Sequence, residues 1–306
     1  MLPSEFRFIE RGWFNGNNIL LLGDKGPVIV DTGHLLYVEE TLALIREAGV
    51  EPADLQQIVI THGHADHHGG NRRLKELSGA TIGMGPITAE WFANQRHLLL
   101  WSDHLGQEMD IVPADVIYEP ETEITLAGMP FQVVAIPGHA PDAVAYFQPD
   151  SKVVICADAM WPDGDLGVLN TAVHGPNVLE GAELAVQRLK ALPAEIALPG
   201  HGGIITDVAE NLAAVEAKLA RFRAEPVQMV KHIVRRFSMF CILRFQPLER
   251  EALVQIAIQG PWLRDYTKLW QPDWSAEQMF NYVLDQFIER GLVYEEAGVL
   301  KCRVPI

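Results

Sequence analysis

Four side chains able to ligate a metal fall within six residues, His62-Gly63-His64-Ala65-Asp66-His67, just after the apolar run Ile58-Val59-Ile60. Neutral imidazole and ionised carboxylate are the donors that borderline divalent cations prefer. Crowding them into one loop is costly unless a cation holds them, because unpartnered donors and like charges are both unfavourable. Three further residues repeat one local pattern, in which an apolar run gives out and a ligand follows. They are His139 after Val134-Ala135-Ile136-Pro137-Gly138, Asp158 after Val153-Val154-Ile155-Cys156-Ala157, and His201 after Ile196-Ala197-Leu198-Pro199-Gly200. Open sheets place their sites where strands run out into loops, so the four segments are expected to meet at one metal centre.

In this order, His-x-His-x-Asp-His followed by His, Asp and His resembles the metallo-β-lactamase superfamily. Asp31-Thr32-Gly33 after Val28-Ile29-Val30 is similar to the early strand and turn of that family, and the resemblance spans about residues 6–205. It implies an α+β fold, a four-layer αβ/βα sandwich with a dinuclear centre in the cleft between its sheets. Carried over position by position, His62, His64 and His139 would bind one metal ion. Asp66, His67 and His201 would bind the second, with Asp158 bridging the two. Asp31 has no ligand role in that pattern and is expected to support the histidine loop from behind. The extra histidine, His68, is expected to be structural, and Cys156 a small core residue.

The cofactors implied are two divalent ions, zinc first, with iron or manganese also suited to such donors. The implied reaction is hydrolysis, in which a hydroxide shared by two cations attacks a carbonyl or phosphorus and the cations stabilise the charge on oxygen. Asp158 and Asp66 are the catalytic carboxylates, and Asp66 is also placed to pass a proton to the leaving group. The leading reading is hydrolysis of a small ester, thioester or lactone. A phosphodiesterase or ribonuclease is the alternative, and a regulatory metal-binding protein the third. In the glutathione-thioesterase branch a basic segment follows the bridging aspartate, whereas this chain has Ala159-Met160-Trp161-Pro162-Asp163. True β-lactamases of the family normally place cysteine where Asp158 stands.

The elements that must position these residues divide the chain at about 207/208. In residues 1–207, the catalytic domain, β-rich runs alternate with helices near Val38–Ala48 and Asn71–Leu77. Residues 87–110 read as a helical insertion flanking the cleft, and 160–178 as an irregular stretch. Trp91, Trp101 and Trp161 are the expected substrate-pocket walls. Residues 208–306 form a smaller domain, with helices over Val208–Ala224, Pro226–Phe240, Glu249–Ile258 and Ala276–Arg290, then two short strands around Glu296-Ala297-Gly298. That order resembles a winged-helix unit. Trp262, Tyr266, Trp270 and Trp274 would serve either its own core or a homodimer contact.

Charge is uneven. Residues 1–205 carry 11 basic and 27 acidic side chains, and residues 206–306 carry 13 of each. The catalytic part repels polyanions, which weighs against nucleic acid as a partner and favours a small-molecule substrate. The basic stretch Lys218, Arg221, Arg223, Lys231, Arg235, Arg236, Arg244 and Arg250 is first a solvated helix face and second a phosphate or oligomer contact. No apolar run approaches the roughly 20 residues that span a bilayer. The start, Met1-Leu2-Pro3-Ser4-Glu5-Phe6-Arg7, lacks a secretory signal's pattern. Cys156, Cys241 and Cys302 are too few and too scattered for a disulfide framework. A cytoplasmic location is expected.

Overall fold

The computed structural model describes residues 1–305. Two sheets carry the first part of the chain. In the six-stranded sheet, β1 (Phe6–Ile9), β2 (Asn18–Leu21), β3 (Val28–Val30), β4 (Gln57–Ile60), β5 (Thr81–Met84) and β6 (Val116–Ile117) lie in chain order. Strands β3 to β6 run parallel, because helices α1 (Val38–Glu47), α2 (Ala65–His68), α3 (Asn71–Ser78), α4 (Pro86–Ala93) and α5 (Ser102–Leu105) fall within their connections. The five-stranded sheet orders β7 (Glu123–Leu126), β8 (Met129–Ala135), β9 (Val144–Gln148), β10 (Val153–Ala157) and β11 (Ile196–Pro199) as β11-β10-β9-β8-β7.

The apolar runs that mark these strands are continuous because both sheet faces are covered. Val28, Val30 and Val59 point to the layer between the sheets, meeting Phe131, Val133, Tyr146, Val153 and Ile155. Their neighbours Ile29, Ile58 and Ile60 point outward to Leu42, Ile45 and Leu74 of α1 and α3. Across the sandwich, Ala145, Phe147, Val154 and Cys156 face α7 (Val178–Lys190), which follows the short α6 (Thr171–His174). The result is the four-layer αβ/βα arrangement. Period-two alternation sends successive side chains into different cores.

Helix α8 (Val208–Ala224) begins after the expected boundary, yet Val208, Leu212, Val215, Leu219 and Phe222 join the core of the second sheet and α7. The separate C-terminal core starts with α9 (Pro226–Phe245), one turn longer than its sequence pattern suggested. It continues through α10 (Arg250–Ala257), α11 (Pro261–Trp270), α12 (Ala276–Glu289) and the hairpin of β12 (Val293–Glu296) and β13 (Val299–Cys302). Trp262 and Tyr266 of α11 are buried there, while Trp270 and Trp274 are half-buried against it. Phe14, Trp101 and Val168 of the first part enter the same core. The Tyr266 hydroxyl donates to Asn170 Oδ1 at 2.8 Å and accepts from the Ala172 N–H at 3.0 Å. Residues 87–110 are two short helices joined by turns rather than one helix. Among the described residues no helix is long and apolar enough to cross a membrane.

Several histidines lie away from the ligand set, His34 and His104 buried and His174 and His232 half-buried. Burial lowers His34, His104 and His174 to about 4, and His232 to about 3. In the unfolded chain each titrates near 6.5, so below that pH the unfolded state binds more protons than the folded state. Stability is expected to fall as pH drops from about 6.5 towards 4. Thermal melts at stepped pH check this, and a midpoint that stays level across the window would count against the neutral rings.

Candidate metal centre

All seven expected ligands converge at the loop ends of the two sheets. Residues after β4 supply His62 and His64, and the first turn of α2 supplies Asp66 and His67. The turn between β8 and β9 supplies His139, the end of β10 Asp158, and the loop after β11 His201. Three groups, His62/His64/His139, His62/His67/Asp158 and Asp66/His67/His201, each offer ligand atoms within 4.8 Å of one another. His64 Nδ1 lies 2.9 Å from both His62 Nε2 and His139 Nε2. His201 Nε2 stands 3.2 Å from Asp66 Oδ2, and His139 Nε2 3.3 Å from Asp158 Oδ2.

Backbone geometry aims these groups. Ala157 takes a left-handed φ of 46° where the β10–β11 register shifts, and Asp158 follows directly. Gly200 is required at its turn, because a Cβ there would lie 2.0 Å from Asp158 Oδ1. A surrounding shell then fixes ring orientations. Asp31, itself at φ 56°, accepts from His67 Nδ1 at 2.7 Å, from Thr61 Oγ1 at 2.7 Å and from the Thr61 N–H at 2.9 Å. His139 Nδ1 donates to the Val168 carbonyl at 2.8 Å, which turns its Nε2 towards the cluster. Trp161 Nε1 donates to Asp158 Oδ1 at 3.1 Å.

The charges are mutually compensating. Burial alone would raise Asp66, yet His67, His201 and His64 hold it below the usual carboxylate range. Asp158 is likewise held down, against burial, chiefly by His201 and His67. Burial opposes charge on His67, but Asp66, Asp31 and Asp158 raise it. His62 and His64 are pushed down by burial and by neighbouring imidazoles, so they remain neutral donors. His67 Nε2 has no hydrogen-bond partner among the described residues. Facing ring nitrogens, an unpartnered buried nitrogen and two ionised carboxylates form a donor set suited to divalent cations.

The centre opens into a cavity of about 80 Å³. Trp101 and Trp161 line it, and the Trp101 ring centroid lies 3.9 Å from that of His64. Trp91 does not line it: its ring stacks on His174 and packs into the outer core of the first sheet. His68 is buried against Phe92, and Cys156 is a core residue whose thiol burial pushes up. Sequence reasoning missed Asp142, which accepts from the Gly63 N–H and from Thr88 Oγ1, each at 2.8 Å. It also missed Asn17, whose side-chain amide donates to the carbonyls of Pro199 and Gly202 and ties down the His201 loop. The largest omission is α9, which supplies Arg236, Phe237, Phe240 and Leu243 as one cavity wall. Asp142 carried a faint signal as an aspartate close behind His139, whereas of the α9 residues only Arg236 was marked, in a basic stretch read first as a solvated helix face, which its place in the cavity wall corrects.

The family model described as the metallo-beta-lactamase superfamily matches residues 11–201. Hydroxyacylglutathione hydrolase of Pseudomonas putida (strain W619) is 33% identical over 156 residues, 49% of this chain and 50% of that protein. The chain thus spans about half the length of the first curated relatives it matches. A metallo-beta-lactamase family protein from Thermus thermophilus is 19% identical with a TM-score of 0.61, covering 99% of this chain and 100% of that one. A metallo-beta-lactamase from Cronobacter sakazakii is 24% identical with a TM-score of 0.59, covering 74% of this chain and 98% of that one. At these identities the two structures speak for the fold, which the first of them shares through the C-terminal helices.

Proposed function

The chain belongs to the metallo-beta-lactamase superfamily; on that premise we propose that it is a metal-dependent hydrolase that cleaves a small ester, thioester or lactone with two divalent ions. The observation that carries this reading is the convergence of seven ligands beneath a small, mostly apolar and aromatic cavity. His62, His64 and His139 would hold one ion, Asp66, His67 and His201 the other, and Asp158 both. Zinc suits the imidazole-rich set best, with iron or manganese as alternatives. Such a pair supplies Lewis acidity and makes water acidic enough to react near neutral pH.

The chain's own residues do the rest. Asp31 and the Val168 carbonyl fix which nitrogen of His67 and His139 faces the centre. Trp161 holds Asp158 by its free oxygen and walls the cavity. Hydrolysis adds a water oxygen to the acyl carbon, breaks the C–O or C–S bond and delivers a proton to the leaving group. Asp66 is placed to carry that proton, being ionised and the most exposed of the ligands, at 22% of its side chain. Phe237, Phe240, Leu243 and Val168 give an acyl portion apolar surface. The relative's name points to an acylated thiol as its own substrate, which supports a carbonyl target here. No specific observation favours phosphodiesters.

Metal-loaded protein assayed on a lactone, an aryl ester, a thioester and a phosphodiester tests the reading. Turnover is expected on the carbonyl compounds. Dominant phosphodiester cleavage would overturn it.

A further inference from the structure

Among the described residues, Arg236 is the one arginine or lysine whose side chain lines the cavity. It comes from α9, outside the segment that supplies the ligands, and its guanidinium lies 3.9 Å from the Trp13 ring centroid and 5.4 Å from that of Trp161. Both tryptophans line the same cavity, and Trp161 in turn holds Asp158. Arg236 pairs with Asp165, and so does Lys218, so one carboxylate faces two cations. His232, packed beside the three, is neutral and adds no charge. The cluster therefore keeps a net positive charge at the cavity wall. Among the described residues only Nη2 of Arg236 has a hydrogen-bond acceptor, which leaves the other guanidinium N–H groups unclaimed. They are not sealed from solvent, since the side chain retains 19% exposure.

Fixed donors beside a reactive centre select for an acceptor on the substrate. The guanidinium carbon lies over the Trp13 ring and Nη2 is engaged by Asp165, so Nε and Nη1 keep N–H groups that a planar carboxylate accepts. We propose that Arg236 is a specificity-determining residue that binds a carboxylate carried on the acyl side of the substrate. This deepens, and rests on, the acyl-hydrolase reading of the same site. The preferred substrate is then a half-ester or half-thioester of a dicarboxylic acid rather than a simple fatty acyl ester.

The test compares full-length, metal-loaded wild type and Arg236→Met on 4-nitrophenyl hemisuccinate and on its neutral methyl ester, reading nitrophenol release. Methionine keeps an apolar stem against Trp13 and Lys218 remains to pair Asp165, and an unchanged thermal midpoint checks that the variant folds. Wild type is expected to prefer the hemisuccinate, and the variant to lose about 10- to 100-fold of that preference, mainly through KM. Equal losses on both esters, or no loss, would overturn the proposal. Binding is read separately by tryptophan fluorescence with 4-oxopentanoate, which has the carbonyl and carboxylate but no bond to hydrolyse. Saturable quenching in wild type that disappears in the variant supports the anion site even if neither ester turns over, in which case the hydrolase reading alone fails. Quenching that is identical in both proteins overturns the site whatever the turnover.

Discussion

Asp158→Ala is expected to remove metal and turnover together. The Oδ2 atom of Asp158 lies 3.3 Å from His139 Nε2, 3.6 Å from His67 Nε2 and 3.7 Å from His201 Nε2, so a single oxygen touches both halves of the ligand set. No neighbouring carboxylate can take its place, since Asp66 reaches His201 and His67 but is not paired with His139. Without it the buried imidazoles lose a compensating charge, and two ions held there would lose the carboxylate they share. Metal content after dialysis should fall from about two ions per chain to one or fewer, and kcat/KM by more than about 100-fold. Asp158→Asn serves as the companion variant, keeping the Trp161 contact while removing the charge. Near-normal metal content and rate in both variants would break the assignment of Asp158 as a bridge.

Asp31→Asn is expected to weaken one half of the centre more than the other. Asp31 touches no cavity, yet its two oxygens accept three hydrogen bonds, all buried. An amide of the same shape offers one oxygen and one NH2 group, so at least one of the three contacts becomes donor against donor. If that contact is His67 Nδ1, the ring proton moves to Nε2 and the nitrogen facing the centre can no longer ligate. Affinity for the ion held by Asp66, His67 and His201 should drop about 10- to 100-fold, with a smaller effect at the other site. Competition with a chromophoric chelator resolves the two affinities. Equal affinities in wild type and variant would return Asp31 to a purely structural role.

How much of this was readable in the chain follows from chain separation. The candidate ligands His62, His64, Asp66 and His67 fall within six residues, and His139, Asp158 and His201 each follow an apolar run, so local pattern marked the segments that the structure brings together. The strands were legible for a related reason. Runs such as Ile58-Val59-Ile60 marked buried strands, while the layering of those strands came from the family resemblance and not from the pattern itself. Trp91 and Trp101 looked equivalent because both sit in one apolar stretch. Positive φ at Gln95 and Trp101 breaks that stretch into separate turns and sends the two rings to different places. Helix α8 showed clear periodicity, but periodicity tells that a face is buried, not against which core. Arg236 and Phe237 were opaque for the same reason, since nothing near them in sequence mentions the loop they cover.

The wall built by α9 also bears on how such a protein can change over generations. The candidate ligands lie in residues 62 to 201, whereas the helix that walls their cavity contributes residues 236 to 243. Drift or recombination in the second stretch can redirect the protein to a new compound without disturbing a single ligand. Kin with the same ion-binding residues but a different helix here should therefore diverge in diet before they diverge in reaction.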